Sequence, residues 1–229
     1  LPRVEELFEV RPPKKKAFLA ECPGVVSIEN APITSGGAVG GRAQRILRIV
    51  SQSPVERAKK RKAKAAEPVD ANVWEVVVPP GYSLLVKDGQ TVVLGEQLTD
   101  GSLDLQQLFR LRGRLAVQRY VMKEIQYIYS SQGQKLHEKH IEIIVRQMFS
   151  RVYVTDSGDT DLLPGEISEF SQVLEANATV KGKPVQYDEL LLGMTKAALT
   201  TKSFLAAASF IETARVLINA AVTGRVDNL

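Results

Sequence analysis

Cysteine and tryptophan each occur once and histidine twice among 229 residues, and each scarcity closes off a class of chemistry. The lone Cys22 can form no disulfide within the chain, which fits a reducing compartment. One cysteine and two histidines leave a protein-only zinc site short of ligands. With both histidines close together, at His137 and His140, a Ser-His-Asp constellation has few possible members. No apolar run approaches the roughly 20 residues that cross a bilayer, and no signal peptide opens the chain, so no membrane partner is expected. Methionine is absent from the first position. Leu1 opens directly on an amphipathic pattern, so the expectation is a piece excised from a longer polypeptide.

What is present is a globular composition, 44% hydrophobic and 24% charged, long enough to bury a core in one elongated domain or two small ones. The net charge of +4 is modest but uneven. Arg57, Lys59, Lys60, Arg61, Lys62 and Lys64 put six cations into eight positions, and Lys14, Lys15 and Lys16 form a second block. Such clustering fits a nearby polyanion, and a solvated loop carries it equally well.

Periodicity predicts a short helix from Leu1 to Arg11 with Val4, Leu7 and Phe8 on one face, ended by Pro12-Pro13. Strands follow between Ala17 and Gly101: Gly24–Ile28, Arg45–Val50, Trp74–Val78, Leu84–Val86 and Thr91–Leu94. The last two flank Lys87-Asp88-Gly89-Gln90, whose Asp-Gly pair is a hairpin signal. Two polar stretches interrupt the strands, a glycine-rich one from Ser35 to Gly41 and the basic one from Ser53 to Ala71.

Asp104 to Ser150 is predicted helical, with Leu115, Val121, Met122, Ile125, Ile128 and Tyr129 apolar against a stripe of Arg119, Lys123, Gln126 and Ser130. After a stop at Gly133, a second helix buries Ile141, Ile144, Val145 and Met148. Strands return from Arg151 to about Tyr187, and a last helix buries Phe210, Ala214, Leu217, Ile218 and Ala221 before Gly224. An internal echo links Val86-Lys87-Asp88-Gly89 with Val154-Thr155-Asp156-Ser157-Gly158, each followed by a second Gly-Glu turn. Barrel-sandwich hybrid modules of the lipoyl-carrier type read this way.

Several local motifs lose to plainer readings. His137 and His140 are three apart, but the zinc-protease spacing needs the second histidine where Ile141 stands, so helix-end hydrogen bonding is the better account. Gly36 to Gly41 has phosphate-loop spacing, yet Arg42-Ala43 replaces the lysine and hydroxyl. Asp156, Asp159 and Asp161 resemble a calcium loop until Gly158 and Ile167 fall on ligand positions.

Three long segments carry a stronger signal. Gly133-Gln134-Lys135-Leu136-His137-Glu138-Lys139-His140 running on to Met148, Leu1-Pro2-Arg3-Val4-Glu5-Glu6-Leu7-Phe8-Glu9, and Leu191-Leu192-Gly193-Met194-Thr195-Lys196-Ala197 running on to Phe210 resemble the bacterial RNA polymerase beta-prime subunit, in order and at similar spacing. The likeness covers essentially the whole chain, with Ala17 to Gly101 similar by pattern only.

That resemblance implies an α+β fold, with a β-rich jaw module (barrel-sandwich hybrid-like), a helical segment and a C-terminal helical switch region. It implies this division: 1–16 the base of the trigger-loop helix, 17–103 the jaw with a basic insertion at 53–71, 104–150 a helical pair, 151–190 a returning β segment, and 191–229 the switch segment with a C-terminal helix. Lys196, Lys202, Arg11 and Lys14 fall at implied DNA contacts. Where the family has two arginines before Pro-Lys, this chain has Arg11-Pro12, and where it reads Ser-Phe-Gln, this chain has Ser209-Phe210-Ile211. Neither a double arginine contact nor a polar switch contact is therefore implied there.

The implied role is to grip downstream duplex and template DNA and to support clamp and trigger-loop movement within a cytoplasmic DNA-directed RNA polymerase, beside its beta, alpha and omega subunits. No cofactor is implied for this piece. Magnesium and zinc are expected elsewhere in the subunit, because neither the aspartate-rich metal loop nor the cysteine-rich sites are in this sequence. Two other classes stay open: a lipoyl or biotin carrier module using Lys87, and a free-standing basic nucleic-acid-binding protein.

Overall fold

The computed structural model describes residues 2–30, 45–50, 73–180, 182–201 and 203–227. The chain divides into two compact units, Pro13–Gly113 and a second formed by Leu1–Pro12 with Arg114–Leu229. Both are mixed α and β with antiparallel pairing.

The first unit is built on β1 (Gly24–Asn30), β2 (Arg45–Val50), β3 (Val73–Val78) and β4 (Thr91–Val92), in the sheet order β3-β2-β1-β4. Alternation sets its inner face: Leu47 and Ile49 point into a core with Val26, Val78, Val86, Val92 and Leu98. On the outer face Arg48 bridges Glu29 at 2.7 Å and Glu75 at 3.2 Å. Helix α2 (Leu105–Arg112) closes the unit, capped by Asp104, whose carboxylate accepts the Gln106 N–H.

The expected Leu84–Val86 strand is absent, and Leu84 makes only an isolated bridge to Thr99. Lys87 to Gln90 does turn, but its flanks do not pair with each other as a hairpin. Gly89 N–H donates to the Val26 carbonyl, and Val26 N–H to that of Gln90, so the turn docks on β1. Consequently β4 ends at Val92 rather than Leu94. No closed barrel forms among the described residues.

The second unit opens with α1 (Pro2–Phe8), which buries Val4 and Leu7. This helix stops before the expected Arg11, because Val10 adopts φ 54° and folds the end back: Arg11 N–H donates to the Glu6 carbonyl and Val10 N–H to that of Leu7. The expected helical pair is three helices, since Gly113 (φ 77°) separates α2 from α3 (Arg114–Ser131), and α4 (Glu138–Met148) follows. Val117, Val121 and Ile125 form the buried stripe of α3, while Leu115, expected on that face, is 66% exposed. Ile141, Val145 and Met148 do the same for α4, and Ile144 is half-buried.

A three-stranded sheet follows, ordered β6-β5-β7, from β5 (Arg151–Asp156), β6 (Ile167–Glu169) and β7 (Gln186–Glu189). Helix α5 (Phe170–Thr179) interrupts the stretch expected to be all strand, opened by a capping box between Glu169 and Gln172. It lays Val173 on Val152, Val154 and Val185.

The chain continues through α6 (Met194–Leu199), α7 (Phe204–Phe210) and α8 (Thr213–Thr223). The expected single last helix is broken at Ile211–Glu212, where Glu212 takes φ 56°. Of the five residues expected to be buried there, none is: Phe210, Ala214, Leu217, Ile218 and Ala221 are exposed, and α8 buries Ala220 instead.

Candidate nucleic-acid interface

Of the four cations singled out in the sequence, Lys196 is the one whose surroundings are most defined. It lies on α6, exposed to solvent, and forms no ion pair among the described residues. Its neighbour Ala197 is buried, so one side of α6 is anchored while the lysine faces out. Thr200 closes the helix by donating from its hydroxyl to the Lys196 carbonyl at 2.9 Å, and the same oxygen accepts from Arg151 Nε at 3.4 Å. Arg151 is itself buried on β5 and paired with Glu169 at 2.7 Å.

At its other end α6 begins on Gly193, with no capping side chain of its own. Thr195 instead donates its hydroxyl and backbone N–H to Glu9, just beyond α1. This contact brings the Arg11 segment and the Lys196 segment together within one unit. Arg11 is exposed and paired with Glu5 at 3.1 Å, an ion pair that water screens strongly. Lys14 is exposed too, but belongs to the first unit. Lys202 lies outside the described residues, as do the basic run from Arg57 to Lys64 and the glycine-rich stretch.

Sequence reasoning missed Glu9, Gly193 and Thr195. Two of them are 186 positions apart, and the one available clue is a helix starting on glycine without a serine, threonine, asparagine or aspartate to cap it. Arg225 was missed as well; it stands on a polar cleft of about 580 Å³ with Glu166, Ser168, Glu169, Gln172 and Thr200.

His137 proves to be a helix cap, its Nδ1 accepting the Lys139 N–H at 3.2 Å. Among the described residues no three His, Cys, Asp or Glu side chains gather as a metal site. Nor is any described helix long and apolar enough to cross a membrane. Lys87, which a carrier module would modify, is exposed in a turn that lacks the flanking hairpin.

Comparison with known proteins gives the family. The family model for RNA polymerase Rpb1, domain 5, matches residues 41–202, more than half of the chain. The chain is 41% identical over 232 residues to the DNA-directed RNA polymerase subunit beta' of Chromobacterium violaceum, with all of this chain and 15% of that protein covered. It is 40% identical over 268 residues to the subunit of the same name from Chloroflexus aurantiacus, and 39% over 279 residues to that of Roseiflexus castenholzii; each alignment covers all of this chain and 18% of the relative. The chain thus spans less than a fifth of the length of the curated relatives it matches.

Proposed function

The chain belongs to the RNA polymerase Rpb1 domain 5 family, and from that premise we propose that it is the DNA-gripping part of a bacterial polymerase beta-prime subunit. The whole enzyme would join nucleoside triphosphates into RNA on a DNA template, in the cytoplasm, with beta, alpha and omega subunits as partners. In this reading α1 lies in the base of the trigger-loop helix, residues 17–103 are the jaw, and Leu191 onward is the switch. A barrel-sandwich hybrid jaw remains part of the proposal. Magnesium would be held by other parts of the subunit.

The observation that carries the proposal is Lys196, an exposed cation with no ion pair among the described residues, on a short helix held at both ends. Its flexible stem can place the ammonium on a phosphate, while buried Ala197 keeps the opposite side of α6 anchored. A phosphate contact fixes register and carries no base information. Arg11, Lys14 and Lys202 are proposed as further backbone contacts of the same kind.

Open-complex lifetime of the complete polymerase, measured at low and high salt, tests this. Lys196→Ala is expected to shorten it about fivefold to tenfold at low salt across promoters, as for loss of one charge-assisted bond. The difference shrinks as salt rises and the slope against log salt drops by roughly one contact. Unchanged lifetimes at low salt with normal subunit assembly remove Lys196 from the interface.

A further inference from the structure

Glu9 stands one residue past α1 and reaches far along the chain. Its Oε1 accepts the Thr195 hydroxyl at 2.5 Å and the Thr195 backbone N–H at 3.2 Å. The first donors of a helix need acceptors from outside it, and Gly193 has no side chain to supply one. Glu9 provides the missing cap from another part of the fold.

Gly193 makes a second, independent case for this contact. Its φ of −64° is open to any residue, so conformational freedom does not explain a glycine here. Close approach does: a Cβ at this position would lie 2.8 Å from the Glu9 carbonyl oxygen and 2.9 Å from its Oε2. Glycine is what lets Glu9 sit against the start of α6.

The pinned residue is Thr195, immediately before Lys196. At the far end Thr200 is tied to buried Arg151, so α6 is clamped on both sides of the lysine. The placement of Glu9, in turn, depends on the end of α1. That end is formed by Val10 at φ 54°, a left-handed conformation that a β-branched residue adopts at a cost. A change that moves the end of α1 would carry Glu9 with it.

We propose that Glu9 is a positioning residue for Lys196, coupling the C-terminal turn of α1 to the grip of α6 on nucleic acid. The proposal rests on the reading of Lys196 as a phosphate contact. If α1 continues into the trigger-loop helix, bending of that helix is transmitted through Glu9 to the lysine 187 positions further on. The role is mechanical: Glu9 touches neither DNA nor the reacting atoms.

The test uses the complete polymerase carrying Glu9→Ala, Glu9→Gln, Thr195→Val and Lys196→Ala, and the Glu9→Ala/Lys196→Ala double variant. Two readouts are taken, amide exchange of the α6 amides and open-complex lifetime at low salt. Glu9→Ala is expected to speed exchange at Thr195 to Ala197 about tenfold or more, with α4 unchanged. It shortens the lifetime about threefold to fivefold and adds almost nothing to Lys196→Ala, because both act on one contact. Glu9→Gln keeps an acceptor oxygen and recovers most of the lifetime, whereas Thr195→Val, which loses only the hydroxyl, falls in between.

Unchanged α6 exchange in Glu9→Ala overturns the coupling, and so do additive losses in the double variant. If Lys196→Ala shortens the lifetime and Glu9→Ala does not, the coupling fails and the DNA contact stands. If Lys196→Ala itself has no effect, the DNA contact fails and the coupling falls with it.

Discussion

The ion pair between Arg151 and Glu169 should respond very unequally to loss of one or the other partner. The two are directly opposite on β5 and β6, with Nη1 2.7 Å from Oε1, but the arginine side chain is 4% exposed and the glutamate 31%. Removing Glu169 leaves a guanidinium in a dry site with Thr200 Oγ1, 3.4 Å from Nε, as its one remaining side-chain partner among the described residues. Breaking a buried pair in this way costs about 3–5 kcal/mol. The lower end applies because Glu169 is partly hydrated, and loss of its capping box on α5 adds roughly 1 kcal/mol. Arg151→Met, by contrast, fills the same space with an apolar chain and leaves Glu169 free to keep capping α5 and meet water. That change is expected to cost about 1 kcal/mol or less. Trp74 lies on β3 in the other unit, so tryptophan fluorescence does not report the transition. Amide exchange of β5 does: Glu169→Ala should accelerate it by about two to three decades and Arg151→Met by less than about one. Equal effects, or a larger one from Arg151→Met, would refute the idea that the buried guanidinium sets the cost.

Val10→Gly relieves a left-handed valine, and after the entropy that glycine adds to the unfolded chain it should stabilise α1 by roughly 0.5–1 kcal/mol, read as slower exchange at Val4 and Leu7. Gly158→Ala should disrupt the β5–β7 edge, since its Cβ would meet the Lys183 carbonyl oxygen and its φ is +54°; a lowered melting temperature checks this. His137→Ala should cost α4 about 1 kcal/mol and His137→Ser much less, because serine can accept the Lys139 N–H. The Asp100 carboxyl is held below the ordinary aspartate range by a hydrogen bond from Lys15 and then by the Ser83 backbone N–H. Its contribution is therefore present above the unfolded value and lost as pH falls through the lower folded one, and an NMR titration of Asp100 in wild type and Lys15→Met should show its pKa rise toward the ordinary range.

Where one strong periodic pattern meets its own partners, sequence and structure agree. In α4 the spacing of Ile141, Val145 and Met148 marks a single buried stripe, and in β2 Leu47 and Ile49 alternate with exposed or half-buried neighbours. The failures have local physical causes. Leu84 to Val86 and Thr91 to Leu94 flank a genuine turn, but Val26 of β1 takes the hydrogen bonds that a hairpin partner would have used. Helix α5 buries only Val173, too little to show a period of 3.6, although Glu169 and Gln172 at capping-box spacing were a start signal in plain view. The family resemblance, resting on long ordered segments instead of patterning, was independent of these errors.

The C-terminal helices and the candidate site show two different limits of a linear reading. Ala214, Leu217, Ile218 and Ala221 do fall on one face of α8, yet that face is exposed and Val216 with Ala220 turns inward. Periodicity identifies an apolar face and says nothing about whether its covering surface is in the same chain. The site fails differently. Lys196 was a candidate because it stands inside a long family-like segment, but what holds it in place was not legible, since a carboxylate cap supplied from 186 residues away leaves no mark at Glu9 or Thr195. Glu9 reads as one more acidic residue near a helix end and Gly193 as one more loop glycine. Only their juxtaposition shows that the glycine is there for the glutamate and the glutamate for the threonine beside Lys196. Residues that hold another residue in place are thus harder to find in sequence than the residue they hold, because their role is defined by a neighbour that the chain order hides.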